Sequence, residues 1–201
     1  MEVHRQVLRQ SQLGGHMVLP DDLIRQGLLL QDVEIDDLNT YIKLKKACCK
    51  RYVDQYYGGW DNRIQTIISK DSFHRLLEVP HFCKILQDDN TIGFFSYKEQ
   101  EDQISEVALH VSPSFRGKGL KEFFLSHLVS RSKETHKPVY ITVFQSDPWK
   151  SLLVDAGFQV YDKSRSHYLM SYNKQHGKGM NDYRNRIYSK SSEADIAFEQ
   201  D

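Results

Sequence analysis

The run from Ile104 to Val129 constrains this chain more than any other. Ile104 to Val111 alternates apolar and polar residues, which predicts a strand. Ser112-Pro113 ends it, and Arg116-Gly117-Lys118-Gly119 makes a tight turn rich in backbone donors. From Leu120 to Val129, apolar residues at 120, 123, 124 and 128 predict a helix. A strand, a glycine turn and a helix start suit an anion. Glycines let the main chain approach closely, and the free N–H groups and dipole of the helix start favour negative charge.

Two common phosphate-binding patterns are excluded. No Gly-Lys-Ser/Thr follows a four-residue gap, so this is not a Walker loop. The third glycine of a Gly-x-Gly-x-x-Gly fingerprint falls on Glu122, so it is not a dinucleotide turn. Ser112 to Leu120 instead resembles the Arg/Gln-x-x-Gly-x-Gly/Ala signature of the GNAT superfamily of N-acetyltransferases. Arg116 and Gly119 match, and Lys121 stands where the family has a small residue. A second stretch, Asp147-Pro148-x-x-x-Leu152-Leu153-x-x-Ala156-Gly157-Phe158, resembles the family's Asn-Pro-Ala-x-x-Leu-Tyr-x-x-x-Gly-Phe motif. His167-Tyr168-Leu169-Met170 resembles its closing strand, and Tyr52-Val53 with Gly59-Trp60-Asp61 resembles a run found in bacterial members. The resemblance spans roughly residues 28 to 173.

That resemblance implies a fold and a cofactor. The expected fold is α/β: a mixed, mostly antiparallel sheet with helices on both faces and a splayed central strand pair. Acetyl-CoA is the implied cofactor. The main chain of Leu109, His110 and Val111 would bond its pantetheine arm. Arg116, Gly117, Lys118, Gly119, Leu120 and Lys121 would wrap its pyrophosphate, with Asp147 beside it. The implied reaction moves the acetyl group to a primary amine, on a small molecule or a protein. The family's frequent acid, the Tyr of Leu-Tyr, is here Leu153. That departure keeps open a second reading, an acyl-CoA-binding module that does not turn over.

Acetyl transfer needs an amine without its proton, a donor for the oxyanion and a proton for the thiolate. Glu106, on the strand just before the cofactor segment, is the candidate base. Tyr168 is the candidate acid, with Tyr161 as a further choice. His110 and His167 titrate in a useful range, yet nothing in the sequence fixes where they point. Tyr56, Tyr57 and Trp60, beside Gly58-Gly59, make either a wall for the acceptor or an anchor for a loop.

The remaining elements follow from pattern. Gly27 to Val33 predicts a first strand. A helix capped at Asp36 or Asp37 carries Leu38, Tyr41, Cys48, Tyr52 and Tyr56 and stops at Gly58. Asp61 opens another helix. His81–Gln87 and 91–97 form strands around Asp88-Asp89-Asn90, and 139–144 is a β-branched, aromatic strand. A short helix follows Asp147-Pro148, and two strands close the domain. Residues 1–26 form an N-terminal extension, 27–173 the domain, and 174–201 a polar tail whose composition predicts disorder.

Composition narrows the class. Lys+Arg and Asp+Glu are both 27, so nucleic acid is not expected as a partner. Three cysteines without metal spacing suggest reduced thiols, and no metal is expected. There is no Gly-x-Ser-x-Gly elbow and no His-Glu-x-x-His. No apolar run approaches the roughly 20 residues of a membrane span. A cytoplasmic monomer or homodimer is expected.

Overall fold

A computed structural model describes residues 17–115 and 117–174. Arg116 and the tail from residue 175 lie outside them, as do residues 1–16. The described chain runs α1 (Asp21–Arg25), β1 (Leu28–Asp32), a 3-10 turn (Ile35–Asp37), α2 (Leu38–Tyr56), α3 (Asn62–Leu77), β2 (His81–Gln87), β3 (Asn90–Glu99) and β4 (Ile104–Val111). After a second 3-10 turn (Pro113–Phe115) come α4 (Leu120–Thr135), β5 (Val139–Phe144), α5 (Trp149–Asp155), β6 (Gln159–Lys163) and β7 (His167–Tyr172).

Caps and turns explain the boundaries. The capping box at the entrance to α2 pairs the Glu34 side chain with the N–H of Asp37 and the Asp37 carboxylate with the N–H of Glu34. Asp61 accepts from the N–H of Ile64 and starts α3. Asp147 Oδ1 accepts from Trp149 N–H at 2.9 Å, a helix-start bond that the Asp-Pro pair predicts. α2 ends at Tyr57 before Gly58, whose φ of 78° continues no helix.

The seven strands form one sheet in the order β1-β2-β3-β4-β5-β7-β6. Every neighbouring pair is antiparallel except β4–β5. The parallel pair holds a single ladder position, Ile104 opposite Val139, with Ile104 N–H donating to Pro138 C=O at 2.9 Å. β4 and β5 then diverge, which is the splay that the family resemblance implies.

Helices cover both faces. One face packs Leu120, Phe124, Leu125 and Leu128 of α4 and Leu153 of α5 over Phe95, Tyr97, Val111, Ile141 and Met170. Leu19 and Leu23, at 2% and 3% exposure, join that cluster, so residues just before β1 are part of the core. The other face packs Tyr41 and Leu44 of α2 and Phe73 of α3 over Phe82 and Phe94. Tyr41 holds that cluster together, its ring 5.3 to 6.0 Å from those of Phe73, Phe82 and Phe94.

Alternation does not reveal one feature of β4. Glu106 sits at φ 52°, where the β3–β4 register shifts between Ser96 and Lys98. Glu106 and Val107 together face Tyr97, a bulge that bends β4 just before the diverging segment. An L-residue there costs about 1–2 kcal/mol relative to the usual backbone.

Candidate functional site

Helix α2 crosses the gap between β4 and β5. At its start Tyr41 lies over β2, β3 and β4, with the His110 ring 5.8 Å away and edge-on. Midway, Cys48 Sγ donates to the carbonyl of Val111 at 3.2 Å, at the end of β4. One turn later Tyr52 stacks on Phe144, the last residue of β5, at 4.6 Å and 11°. Tyr56 stacks on Phe144 as well, at 6.0 Å. The helix therefore roofs the gap from one strand to the other.

At the open end of the gap lie two helix starts. Gly117 and Gly119 have φ of 76° and 81°, values that L-residues rarely adopt. Among the described residues, a Cβ at Gly117 would meet nothing within 4 Å, and one at Gly119 only Leu23 Cδ2 at 3.9 Å. The glycine turn thus leaves its backbone approachable at the start of α4. Lys118 Nζ lies 4.7 Å from the Phe115 ring, and Lys121 Nζ lies 5.4 Å from the Trp149 ring at the start of α5. Trp149 is 9% exposed, and its Nε1 is buried with no acceptor among the described residues. Such an orphaned donor is costly unless a ligand oxygen satisfies it. The β4 edge that β5 leaves uncovered beyond Ile104, the approachable turn and the Trp149 donor are the chemistry that a phosphopantetheine arm needs. The residues present therefore fit coenzyme A.

The expected site residues divide by position. Leu109, His110 and Val111 lie on the diverging part of β4, and Gly117 to Lys121 lie at its end. The Val111 carbonyl is already engaged by Cys48. His110 faces the α2 side, where burial, with Lys45 adding to it, pushes its imidazole down to about 4. It is neutral at pH 7. Asp147 caps α5 and lies near Tyr52, whose phenol is pushed up, chiefly by burial and further by that carboxylate. Glu106 is exposed on the bulge. Tyr168 is half-buried on the α5 side, with Lys150 Nζ 4.1 Å from its ring. Trp60 donates its N–H to Asp54 at 2.9 Å and so closes the turn after α2. Leu153 is fully buried against the core.

The structure also gathers residues that the sequence left scattered. Tyr57 Oη lies 2.7 Å from Ser166 Oγ, and Ser166 Oγ lies 2.8 Å from His167 Nδ1. The His167 ring is 4.1 Å from that of Phe144. Burial pushes His167 down to about 4. The turn that carries Ser166 is fixed to the end of β5, with Gln145 N–H donating to Ser166 C=O at 2.9 Å and Gln145 Nε2 to Ser164 C=O at 2.7 Å. Nothing in the sequence marks Ser166, a serine in a polar turn. Its role depends on a contact 109 residues away.

No family model and no curated protein sequence matches the chain. Solved structures do. PaiA N-acetyltransferase from Thermoplasma acidophilum, in complex with coenzyme A, is 18% identical, with a TM-score of 0.58 over 73% of this chain and 99% of its own. Arabidopsis thaliana Naa50, in complex with the bisubstrate analogue CoA-Ac-MVNAL, is 13% identical, with a TM-score of 0.52 over 73% and 98%. The ribosomal-protein-S18-alanine N-acetyltransferase from Escherichia coli is 15% identical, with a TM-score of 0.51 over 76% and 98%. The fold is thus shared with proteins only 13–18% identical in sequence, and this chain has the GNAT fold.

Proposed function

We propose that this protein transfers the acetyl group of acetyl-CoA to a primary amine. One observation carries the reading: β4 and β5 pair at a single position and then part beneath α2, with the glycine turn at the wide end. A pantetheine arm fits there as a substitute strand, bonded by the main chain of Leu109 and the N–H of Val111, since the His110 carbonyl faces β3 and the Val111 carbonyl accepts from Cys48. Main-chain contacts tolerate side-chain change, which is consistent with low identity to the CoA-bound structures. The pyrophosphate lies at the turn from Gly117 to Lys121 and the start of α4. Coenzyme A supplies the activated acyl group. The chain supplies orientation, a dry gap and the proton transfers.

The acceptor enters between the turn after α2, with Tyr56, Tyr57 and Trp60, and the turn between β6 and β7. Its nitrogen attacks once it has lost a proton, since a free alkyl amine has a pKa of about 10 and is mostly charged at pH 7. Glu106, exposed at the bulge, is the proposed base. Tyr168 lies on the α5 side of the sheet, whereas the aromatic roof lies on the α2 side. Two of the similar structures are named for a peptide-bearing analogue or a protein amine, so peptide N-termini belong in the acceptor screen beside small amines.

Leu153 favours a second reading, a module that holds acyl-CoA without consuming it. Calorimetric titration with acetyl-CoA, followed by an amine screen for released thiol, separates the two. Micromolar binding that Gly119→Trp abolishes, with thiol released in the presence of an amine, supports transfer. Binding without thiol release from any amine supports the module. No binding to the folded chain refutes both.

A further inference from the structure

The chain Tyr57–Ser166–His167 has features that simple packing does not require. Two consecutive hydrogen bonds, 2.7 and 2.8 Å, connect a phenol, a hydroxyl and an imidazole nitrogen. Ser166 is 5% exposed, so water does not compete for its hydroxyl. Its turn is tied to the end of β5 by Gln145, and the imidazole packs against Phe144 at the same strand end. The phenol at the head of the chain closes α2, the helix that roofs the gap.

Hydroxyls and a neutral imidazole each donate and accept, so a proton passes along such a chain without leaving a charge in the middle. Burial keeps His167 neutral across the physiological range. Leu153, sealed in the core, has no proton to give. An unperturbed phenol has a pKa of about 10 and an alkyl thiol about 8.5, close enough for transfer between them.

We propose that Tyr57 is the acid that protonates the departing CoA thiolate, with Ser166 and His167 as positioning residues that orient its hydroxyl and replace its proton. The proposal rests on the acetyl-transfer reading. As the C–S bond breaks, the Tyr57 proton moves to sulfur. The Ser166 hydroxyl proton moves to the Tyr57 oxygen, and the proton on His167 Nδ1 moves to Ser166. His167 regains a proton at Nε2 from solvent, which has taken the one that the acceptor nitrogen loses as the C–N bond forms. The net change is amine plus acetyl-CoA to amide plus CoA thiol. His167 is left in its other neutral tautomer, which reverts by exchange with water.

The test uses the full chain and an amine from the screen. Tyr57→Phe should lower kcat by about 100-fold, with KM for acetyl-CoA within about twofold. Ser166→Ala should lower kcat about 10-fold. The double variant should be no slower than Tyr57→Phe alone, because residues that act as one unit are not additive. A merely structural tie would instead give additive losses and raise KM. Should Tyr57→Phe fail to fold, as judged by circular dichroism, Ser166→Ala and His167→Gln carry the same comparison. Nitrogen NMR of imidazole-labelled wild type gives a readout without turnover. His167 should be neutral at pH 7 with its proton on Nδ1, and a proton resident on Nε2 overturns the direction of the chain. A Tyr57→Phe variant with wild-type kcat overturns this proposal alone. A wild type that binds CoA and acetylates no amine overturns the transfer reading and this step with it.

Discussion

Gly93→Ala tests how the sheet positions the cofactor edge. Gly93 lies on β3 opposite Val111, in the ladder that holds the diverging end of β4. A Cβ there would lie 2.7 Å from the carbonyl oxygen of His110, 3.0 Å from Ile85 Cδ1 and 3.3 Å from Val111 Cγ2. The Ile85 and Val111 side chains are themselves buried in the core, and the carbonyl belongs to the β3–β4 ladder. Relief therefore requires β4 itself to move, by roughly half an ångström to reach normal van der Waals separation. Overpacking costs about 1–3 kcal/mol, and a backbone clash belongs in the upper half of that range. Alanine returns about 0.5–1 kcal/mol by restricting the unfolded chain. The net loss is about 1–2.5 kcal/mol. Urea unfolding, with a slope of about 2 kcal/mol per molar for a domain of this size, should show a midpoint lowered by about 0.5–1.2 M. Affinity for CoA should fall as well, because the displaced residues line the gap. Gly117→Ala is the stability control, since its Cβ meets nothing among the described residues and the left-handed backbone opposes it, at about 1 kcal/mol. A Gly93→Ala chain within 0.5 kcal/mol of wild type, still binding CoA normally, refutes the reasoning.

Two other perturbations have definite directions. Leu153→Ala removes a fully buried side chain and should cost about 2–5 kcal/mol in urea unfolding, whatever its effect on chemistry. His110 and His167 both have folded pKa values pushed down to about 4 by burial, so the unfolded chain binds more protons between there and the ordinary value of about 6.5. Stability is therefore full above about pH 6.5 and declines as pH falls toward 4. Denaturation midpoints measured at pH 7.5 and pH 5 should differ in that sense, and His110→Gln should flatten the difference.

Much of the fold was legible in the sequence because its signals are local. Asp61, Asp147 and Gly58 mark helix ends through bonds and dihedrals spanning a few residues, and all three act as their types suggest. β5 matches its β-branched run, from 139 to 144. The glycine turn is legible in the same way, with Gly117 and Gly119 at positive φ. What the sequence hides is long-range or fine-grained. The bulge at Glu106 leaves apolar alternation nearly intact while turning one residue left-handed. Ser166 is silent until folding sets it beside Tyr57, and Cys48 reads as a core residue on a helical stripe until its thiol is seen on the Val111 carbonyl. Leu19 and Leu23, in a polar segment before the first strand, enter the core because α1 folds back over the start of α4. No periodicity over so short a stretch announces that.

The single ladder position between β4 and β5 divides the sheet into two plates of four and three strands. Helix α2 is fastened to both, by Tyr41 and Cys48 to the first and by Tyr52, Tyr56 and Tyr57 to the second. Cys48 and Tyr52 are one turn apart, about 6 Å along the axis. Inserting one residue between them would rotate the second set of fastenings by about 100° and leave that plate held only through the α4 and α5 face. The spacing between the plates is therefore set by the phase of α2 on one face and the α4 core on the other, rather than by the side chains that face the gap. Those side chains are free to change with the ligand while the spacing stays constant.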